Sequence, residues 1–236
     1  MPKKLMYDFV SEKRPNPIGG HCYDCTYCYI HEKKGMKIRF PNLKMKYSGE
    51  FRLYQKVLNK KYKKDELIFF CDCIDWLHED MPLEIINKII EWIKKSPDAT
   101  FLSLTKNPFR YFQIEIPSNL ILGCTIESNI NYLQYSKAPF QTDRIYNMIK
   151  LEEYSDNPRF ISIEPILKFN HDTFLLYIEK INPNFGIAIG YDNHNNRLDE
   201  PTLKDTMSLR NILIRYGFNV IDKTLKKAWF EKEMEK

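Results

Sequence analysis

The stretch from residue 67 to 97, LIFFCDCIDWLHEDMPLEIINKIIEWIKKSP, decides how the rest of the chain is read. Its first seven residues are apolar at both odd and even positions apart from Asp72, which suits a strand covered on both faces. Beyond Pro82 the apolar residues change period: Ile85, Ile86, Ile89, Ile90 and Ile93 fall on one side of a helix. Pro82 suits the helix start and Pro97 stands just past its end. A strand buried on two faces followed by a one-sided helix is the repeating unit of a parallel sheet.

The same alternation continues outward. TFLSLTK (100–106), LILGCTIE (120–127), RFISIEPI (159–166) and FGIAIGYD (185–192) read as strands. TDRIYNMIKLEEY (142–154), HDTFLLYIEKI (171–181) and PTLKDTMSLRNILIRYG (201–217) read as helices, the last closed by Gly217. GEFRLYQKVLNKKYK (49–63) is expected to be a helix, and a first strand is expected in or before KLMYDFV (4–10). Roughly six βα units are too few for an eight-stranded barrel. The expected fold is α/β: a single-domain partial (β/α)6 TIM-like barrel with parallel strands over residues 1–236. A cysteine loop lies at 16–31, a βα core at about 65–200, and a C-terminal helix and tail at 201–236.

Composition sets the class. Of 236 residues, 43% are hydrophobic and 28% charged, the balance of an ordered globular chain. No window approaches 18 consecutive apolar residues, and MPKKLMYDF lacks the apolar run of a signal sequence. The expectation is a cytoplasmic protein without a membrane partner, in which clustered cysteines stay reduced and serve as metal ligands rather than disulfides. Residues 1–64 hold 16 Lys+Arg against 5 Asp+Glu, leaving 20 against 26 in the remainder. That basic N-terminal region is compatible with a nucleic acid and equally with a lysine-rich solvated surface. No G-x-x-x-x-G-K-[ST], G-x-G-x-x-G or H-E-x-x-H pattern occurs, so nucleotide hydrolysis, Rossmann binding and zincin chemistry lack support.

The chemistry concentrates in NPIGGHCYDCTYCYIH (16–31), where Cys22, Cys25 and Cys28 fall within seven residues. Three readings compete. In the first, zinc takes the three thiolates with His21 or His31 as fourth ligand, although four ligands so close in sequence would close almost no loop. In the second, a four-cysteine cluster follows the start of the C-x2-C-x2-C-x3-C-P pattern. Glu32 and Lys33 occupy the last two positions of that pattern, so Cys71, Cys73 or Cys124 would have to supply the fourth thiolate. In the third, three thiolates hold three irons of a [4Fe–4S] cluster and leave one iron open. An open position is what a catalytic metal site keeps. Such an iron chelates the amino and carboxylate groups of S-adenosylmethionine, and one electron cleaves the S–C5′ bond to give a 5′-deoxyadenosyl radical.

The loop GHCYDCTYCY resembles that of the radical S-adenosylmethionine (radical SAM) superfamily, in which C-x3-C-x2-C carries an aromatic residue before the last cysteine. Here the first gap, Tyr23–Asp24, is one residue shorter. The ordered series NPIGG–C, FFCDCIDWLHEDMP, LSLTKNP, LGCTIESN, RFISIEPIL and IAIGYDN is similar to a phage- and prokaryote-associated branch of that superfamily, over about residues 7–200. Tyr191-Asp192 stands where that branch has Gly-Glu.

The resemblance implies roles residue by residue. Cys22, Cys25 and Cys28 would ligate the cluster, and Tyr27 would contact the adenine. Asp72 to Asp75 would lie near the methionine amino group, and Glu127 and Asn129 would reach the ribose hydroxyls. Glu164 and the Ile189-Gly190 backbone would line the adenine and substrate side. The implied cofactors are a [4Fe–4S] cluster and S-adenosylmethionine, with a flavodoxin- or ferredoxin-type reductant as electron donor. Cys73 is a candidate hydrogen-atom donor; the plainer reading makes Cys71 and Cys73 small packing residues. Strand parity turns Cys124 toward the helices if Glu127 faces the site. His78 and Glu79 read either as an acid/base pair or as the approach to a helix capped by Asp80. The alternatives to a radical enzyme are a non-catalytic iron–sulfur or zinc module that regulates or binds nucleic acid, and an enzyme that breaks a different S–C bond of the sulfonium.

Overall fold

The computed structural model describes residues 7–30 and 40–234. The first elements form a small outwork: β1 (Ile18–Gly19), α1 (Pro41–Lys46), β2 (Arg52–Leu53), antiparallel to β1, and α2 (Gln55–Leu58). The body follows as β3 (Leu67–Phe69), α3 (Leu83–Lys94), β4 (Thr100–Leu102), a 3-10 turn (Pro108–Gln113), β5 (Leu120–Thr125), α4 (Gln141–Tyr154), β6 (Arg159–Ile163), α5 (His171–Ile181), β7 (Gly186–Ile189), α6 (Leu203–Arg215), β8 (Val220–Asp222) and α7 (Trp229–Glu233). The strands β3 to β8 lie side by side in chain order, all parallel, and the sheet curls into a half-barrel.

The two-residue period of a strand builds two cores from this one sheet. Ile68, Phe101, Leu122, Ile161 and Ile187 pack beneath the helices, joined by Ile86, Ile89, Ile90, Trp92 and Ile93 of α3. Each such side chain contributes roughly 1.5–3 kcal/mol on full burial, which is why the isoleucine stripe was decisive. The residues between them, Phe69, Leu102, Ile121, Phe160 and Ala188, fill the concave face, where Tyr7 and Val10 plug the barrel from below. The Tyr7 hydroxyl donates to Ser162 Oγ at 3.3 Å. Ser11 N–H donates to the Leu67 carbonyl at 2.8 Å and Cys71 N–H to the Pro15 carbonyl at 3.0 Å, so residues 11–15 cover the free edge of β3. At Gly123 a Cβ would collide with the carbonyl oxygen of Ser103 on the neighbouring strand; the close approach of β4 and β5 requires glycine there.

The structure departs from the sequence expectation at four places. Residues 49–63 do not form one helix: Arg52–Leu53 pairs with Ile18–Gly19, and the Arg52 guanidinium donates to the Ser48, Glu50 and Lys46 carbonyls at 3.0–3.1 Å. Tertiary pairing there outweighs helical spacing, and only the four residues of α2 remain helical. Residues 7–10 form a turn, not a strand, while 4–6 lie outside the described residues. The sixth strand comes instead from Val220–Asp222, within the segment read as a tail. Asp80 does not cap α3, whose N-cap is Pro82. No helix among the described residues is long and apolar enough to cross a membrane.

Candidate active site

Extending the concave positions by two residues at a time carries each strand to its carboxyl end: Phe69 to Cys71 and Cys73, Leu102 to Leu104 and Lys106, Ile121 to Thr125, Phe160 to Ser162 and Glu164. Of these, Phe69, Cys71, Cys73, Leu104, Lys106, Thr125, Ser162 and Glu164 line a cavity of about 230 Å³, together with Cys22, Cys25, Tyr27, Cys28, Asp72, Asp75, Tyr191 and Asp192. Register delivers Thr125, Ser162 and Glu164, while the turn after β3, with Cys71 in left-handed backbone (φ 55°), brings consecutive residues 71–75 to the wall.

The cysteine loop closes the cavity. Asp24 adopts left-handed backbone (φ 48°), which reverses the chain inside the two-residue gap between Cys22 and Cys25. The Cys28 amide donates to the Cys25 carbonyl at 3.0 Å. The loop is tied to the segment after β5: Thr26 N–H to the Tyr135 carbonyl (2.8 Å), Lys137 N–H to the Tyr23 carbonyl (3.0 Å), and Cys25 Sγ beside Ser136 Oγ (3.1 Å). All six cysteines are free thiols. Burial, reinforced by Asp75, pushes the Cys22 thiol well above its ordinary range.

Asn16 explains the NP of the loop. Its amide donates to Asp72 Oδ1 at 2.6 Å, and its carbonyl oxygen accepts from the Cys73 amide at 3.4 Å, so one side chain grips the turn after β3. The Arg14 guanidinium approaches Asp72 at 3.5 Å. The Tyr29 hydroxyl donates to the Asp72 carbonyl (2.6 Å) and to Cys73 Sγ (3.4 Å), and Tyr47 bonds the same thiol. Burial first, and then the Asp72 charge, push Cys73 up to about 12. Asp75 is buried and accepts from Leu77 N–H (3.0 Å), Thr105 Oγ1 (2.7 Å) and Lys106 N–H (2.6 Å); burial outweighs these bonds and raises its pKa.

Glu127 is the hub of a buried ionic network. It is 0% exposed, pairs with Arg144 at 2.8 Å and with Lys106, and accepts from the Tyr27 hydroxyl at 2.6 Å. Burial raises its pKa, but Arg144 and then Lys106 outweigh that and hold it at about 2. Glu127 thus acts on the cavity through Tyr27 and Lys106 and does not line it. Asn129 also stays off the cavity wall: its carbonyl oxygen accepts the Asn170 amide at 2.9 Å and its amide faces the Asn170 carbonyl. Glu164 lines the cavity. Gly190 sits behind it, its N–H on Ile163 and its carbonyl on Ile166, and a Cβ there would stand 3.4 Å from Glu164 Oε1 and 2.7 Å from Lys223 Cβ. The Asp192 carboxylate is bonded by the His194 and Asn196 amides of its own loop, at 3.1 and 2.7 Å.

His21, one of the two histidines offered by the zinc reading, does not line the cavity; its ring lies against Phe51 and His78 with Nδ1 on the Gly49 carbonyl at 3.0 Å. His31, Glu32 and Lys33 lie outside the described residues. Cys124 is buried in the core beneath the helices and does not line the cavity, whereas Cys71 and Cys73 touch that core and also line the cavity. Arg144, Asn16 and Tyr29 are the residues that sequence reasoning does not deliver as site components, and Lys106 is placed at the rim by its strand end without a role. Lys106 at the carboxyl end of a strand carried a positional signal; Arg144, on a helix, carried none.

A family model described as protein of unknown function (DUF5131) matches residues 16–182. No curated protein matches the chain. Among solved structures, a variant of spore photoproduct lyase with bound AdoMet and dinucleoside spore photoproduct is similar at 14% identity and a TM-score of 0.56, over 92% of this chain and 65% of that one. Spore photoproduct lyase complexed with dinucleoside spore photoproduct gives 14%, 0.53, 92% and 65%, and another variant 12%, 0.53, 80% and 59%. The chain thus spans 59–65% of the length of these solved chains. At such identity the likeness establishes the fold alone, a partial parallel α/β barrel.

Proposed function

This chain belongs to the family described as protein of unknown function (DUF5131), and for it we propose an iron–sulfur enzyme of the radical S-adenosylmethionine type. The observation that carries the reading is that three thiols from one seven-residue loop line the cavity at the carboxyl end of a parallel half-barrel. Soft thiolates suit iron–sulfur ligation, and His21 is turned elsewhere, which disfavours a zinc knot completed by His21. Cys22, Cys25 and Cys28 would hold the cluster. When bound, the cluster supplies one electron to the S–C5′ bond of S-adenosylmethionine and so makes a 5′-deoxyadenosyl radical available for hydrogen abstraction.

The chain's own residues then have definable tasks. Tyr27, its hydroxyl fixed by Glu127, offers a rigid aromatic face for adenine. The buried Asp75 and the Asp72 turn offer acceptors to an ammonium group. Glu164 borders the substrate side. Cys73, held protonated and bonded by two tyrosines, is the thiol placed to return a hydrogen atom to a substrate radical. The proposed substrate class is a nucleotide or nucleic acid, supported by the basic N-terminal quarter and by the dinucleoside ligand of the similar solved chains. A flavodoxin- or ferredoxin-type reductant in a reducing, cytoplasmic setting would deliver the electron.

The test is anaerobic reconstitution with iron and sulfide, followed by S-adenosylmethionine and dithionite, with products read by mass spectrometry. The expected product is 5′-deoxyadenosine, absent in Cys25→Ala and still formed by Cys73→Ala with its iron content unchanged. Methylthioadenosine would redirect the chemistry to another S–C bond. Iron loss in Cys73→Ala would make that thiol a fourth ligand, and zinc with neither product would overturn the reading.

A further inference from the structure

Outside the cavity, two histidines and an aspartate converge where the cysteine loop meets the loop between β3 and α3. His21, His78 and Asp80 each present one ligand atom, all within 4.8 Å of one another. His21 Nε2 stands 3.3 Å from Asp80 Oδ2, and His78 Nδ1 stands 3.8 Å from the same oxygen. A tetrahedral zinc with ligands at about 2.0–2.1 Å has ligand–ligand edges of about 3.4 Å, so two of the three edges are nearly formed.

Hydrogen bonding determines what these atoms present. His21 Nδ1 lies 3.0 Å from the Gly49 carbonyl, which can only accept. Nδ1 therefore carries a proton, and a neutral ring turns the bare lone pair of Nε2 toward the Asp80 carboxylate. The Asp80 backbone N–H donates to His78 Nδ1 at 3.2 Å, so that nitrogen is bare as well. The His21 Nε2 lone pair faces the Asp80 carboxylate oxygen, and the His78 Nδ1 lone pair lies beside them on the Asp80 amide. A divalent cation bound by all three would displace that long bond. The carbonyl on the far nitrogen of His21 is the kind of partner that orients metal-bound histidines. His78 is buried and held between stacked Tyr23 (4.2 Å) and the edge of His21 (4.9 Å), whereas Asp80 is exposed and able to swing. Arg110, packed beside them, is engaged with the His78 and Glu79 carbonyls at 2.7 Å.

We propose that His21, His78 and Asp80 form a second metal site, separate from the cysteine cavity, that takes a zinc-class divalent ion and leaves one position for water. Two imidazoles and one carboxylate are a donor set for borderline divalent metals, not for magnesium or calcium. The ion would fasten the residue preceding Cys22 to the loop that follows Asp75.

Cobalt titration of the full-length, cluster-free protein tests this independently of any catalysis. Thiolate-bound cobalt shows intense sulfur-to-metal charge-transfer absorption, and a nitrogen–oxygen site shows only weak visible bands. The expected result is one equivalent bound without thiolate absorption, weakened about tenfold or more in Asp80→Asn and in His21→Gln. That equivalent should persist in Cys25→Ser while the thiolate band falls. Asp80 is exposed, so its variant does not threaten the core. Cobalt binding in Asp80→Asn equal to wild type, or thiolate absorption accompanying every bound cobalt, would overturn the proposal.

Discussion

Replacing Glu127 by glutamine would leave Arg144 and Lys106 buried against a neutral amide. Arg144 is 1% exposed on its side chain and Lys106 15%, so water offers little compensation. A carboxyl held at about 2 in the folded chain, against an ordinary 4.5, contributes about 3 kcal/mol at pH 7. That agrees with the roughly 3–5 kcal/mol cost of removing one partner of a buried ion pair. For a chain of this size it corresponds to a fall in Tm of about 6–12 °C. The sign of the pH dependence follows from the depressed pKa. The contribution is complete above about pH 5 and fades as pH falls from the unfolded value toward the folded one, to less than half of its full size near pH 3. Urea unfolding of wild type and Glu127→Gln at pH 7 and pH 3 measures both quantities. A difference below about 0.5 kcal/mol at pH 7, or one that does not narrow toward pH 3, would refute the account of Glu127 as a paired, ionised hub.

Two further perturbations have definite outcomes, one set by sterics and one by the raised pKa of a thiol. Gly123→Ala places a methyl against the Ser103 carbonyl, a backbone atom with no room to yield, and should cost at least about 1–3 kcal/mol, read as a lowered urea midpoint. At pH 8 the Cys73 thiol, held near 12, should alkylate about a thousandfold more slowly than an unperturbed cysteine, as followed by mass spectrometry of the peptide containing it.

The half-barrel was legible because its strands are apolar on both faces and its helices on one, a contrast that survives in sequence without any partner being known. Cys22, Cys25 and Cys28 were legible because their proximity in sequence is already proximity in space. The Glu127 network was not: Lys106 and Arg144 reach one carboxylate from a strand end and a helix 38 positions apart by residue number. An arginine on a helix with a modest apolar stripe reads as solvated until the fold buries it. Val220–Asp222 was missed because three residues, partly exposed at a sheet edge, lack the double-sided apolarity that marked the inner strands. The 49–63 segment misled for the opposite reason, since its helical spacing is real but Arg52 is committed to carbonyls and to a hairpin.

The ties of the cysteine loop have a consequence for the order in which the protein can mature. Cys25 is steadied by Ser136, 111 residues further along, and Tyr7 by Ser162. A ribosome adding about 5–20 residues per second takes roughly 6–22 s to make the stretch between Cys25 and its partner. Through that interval the three thiols are carried on a nascent chain that has no cavity to hold them in place. Ser162 and Glu164, which line the same cavity, are made later still, so the thiols stand open to oxidants and stray metal until most of the sheet has been synthesised.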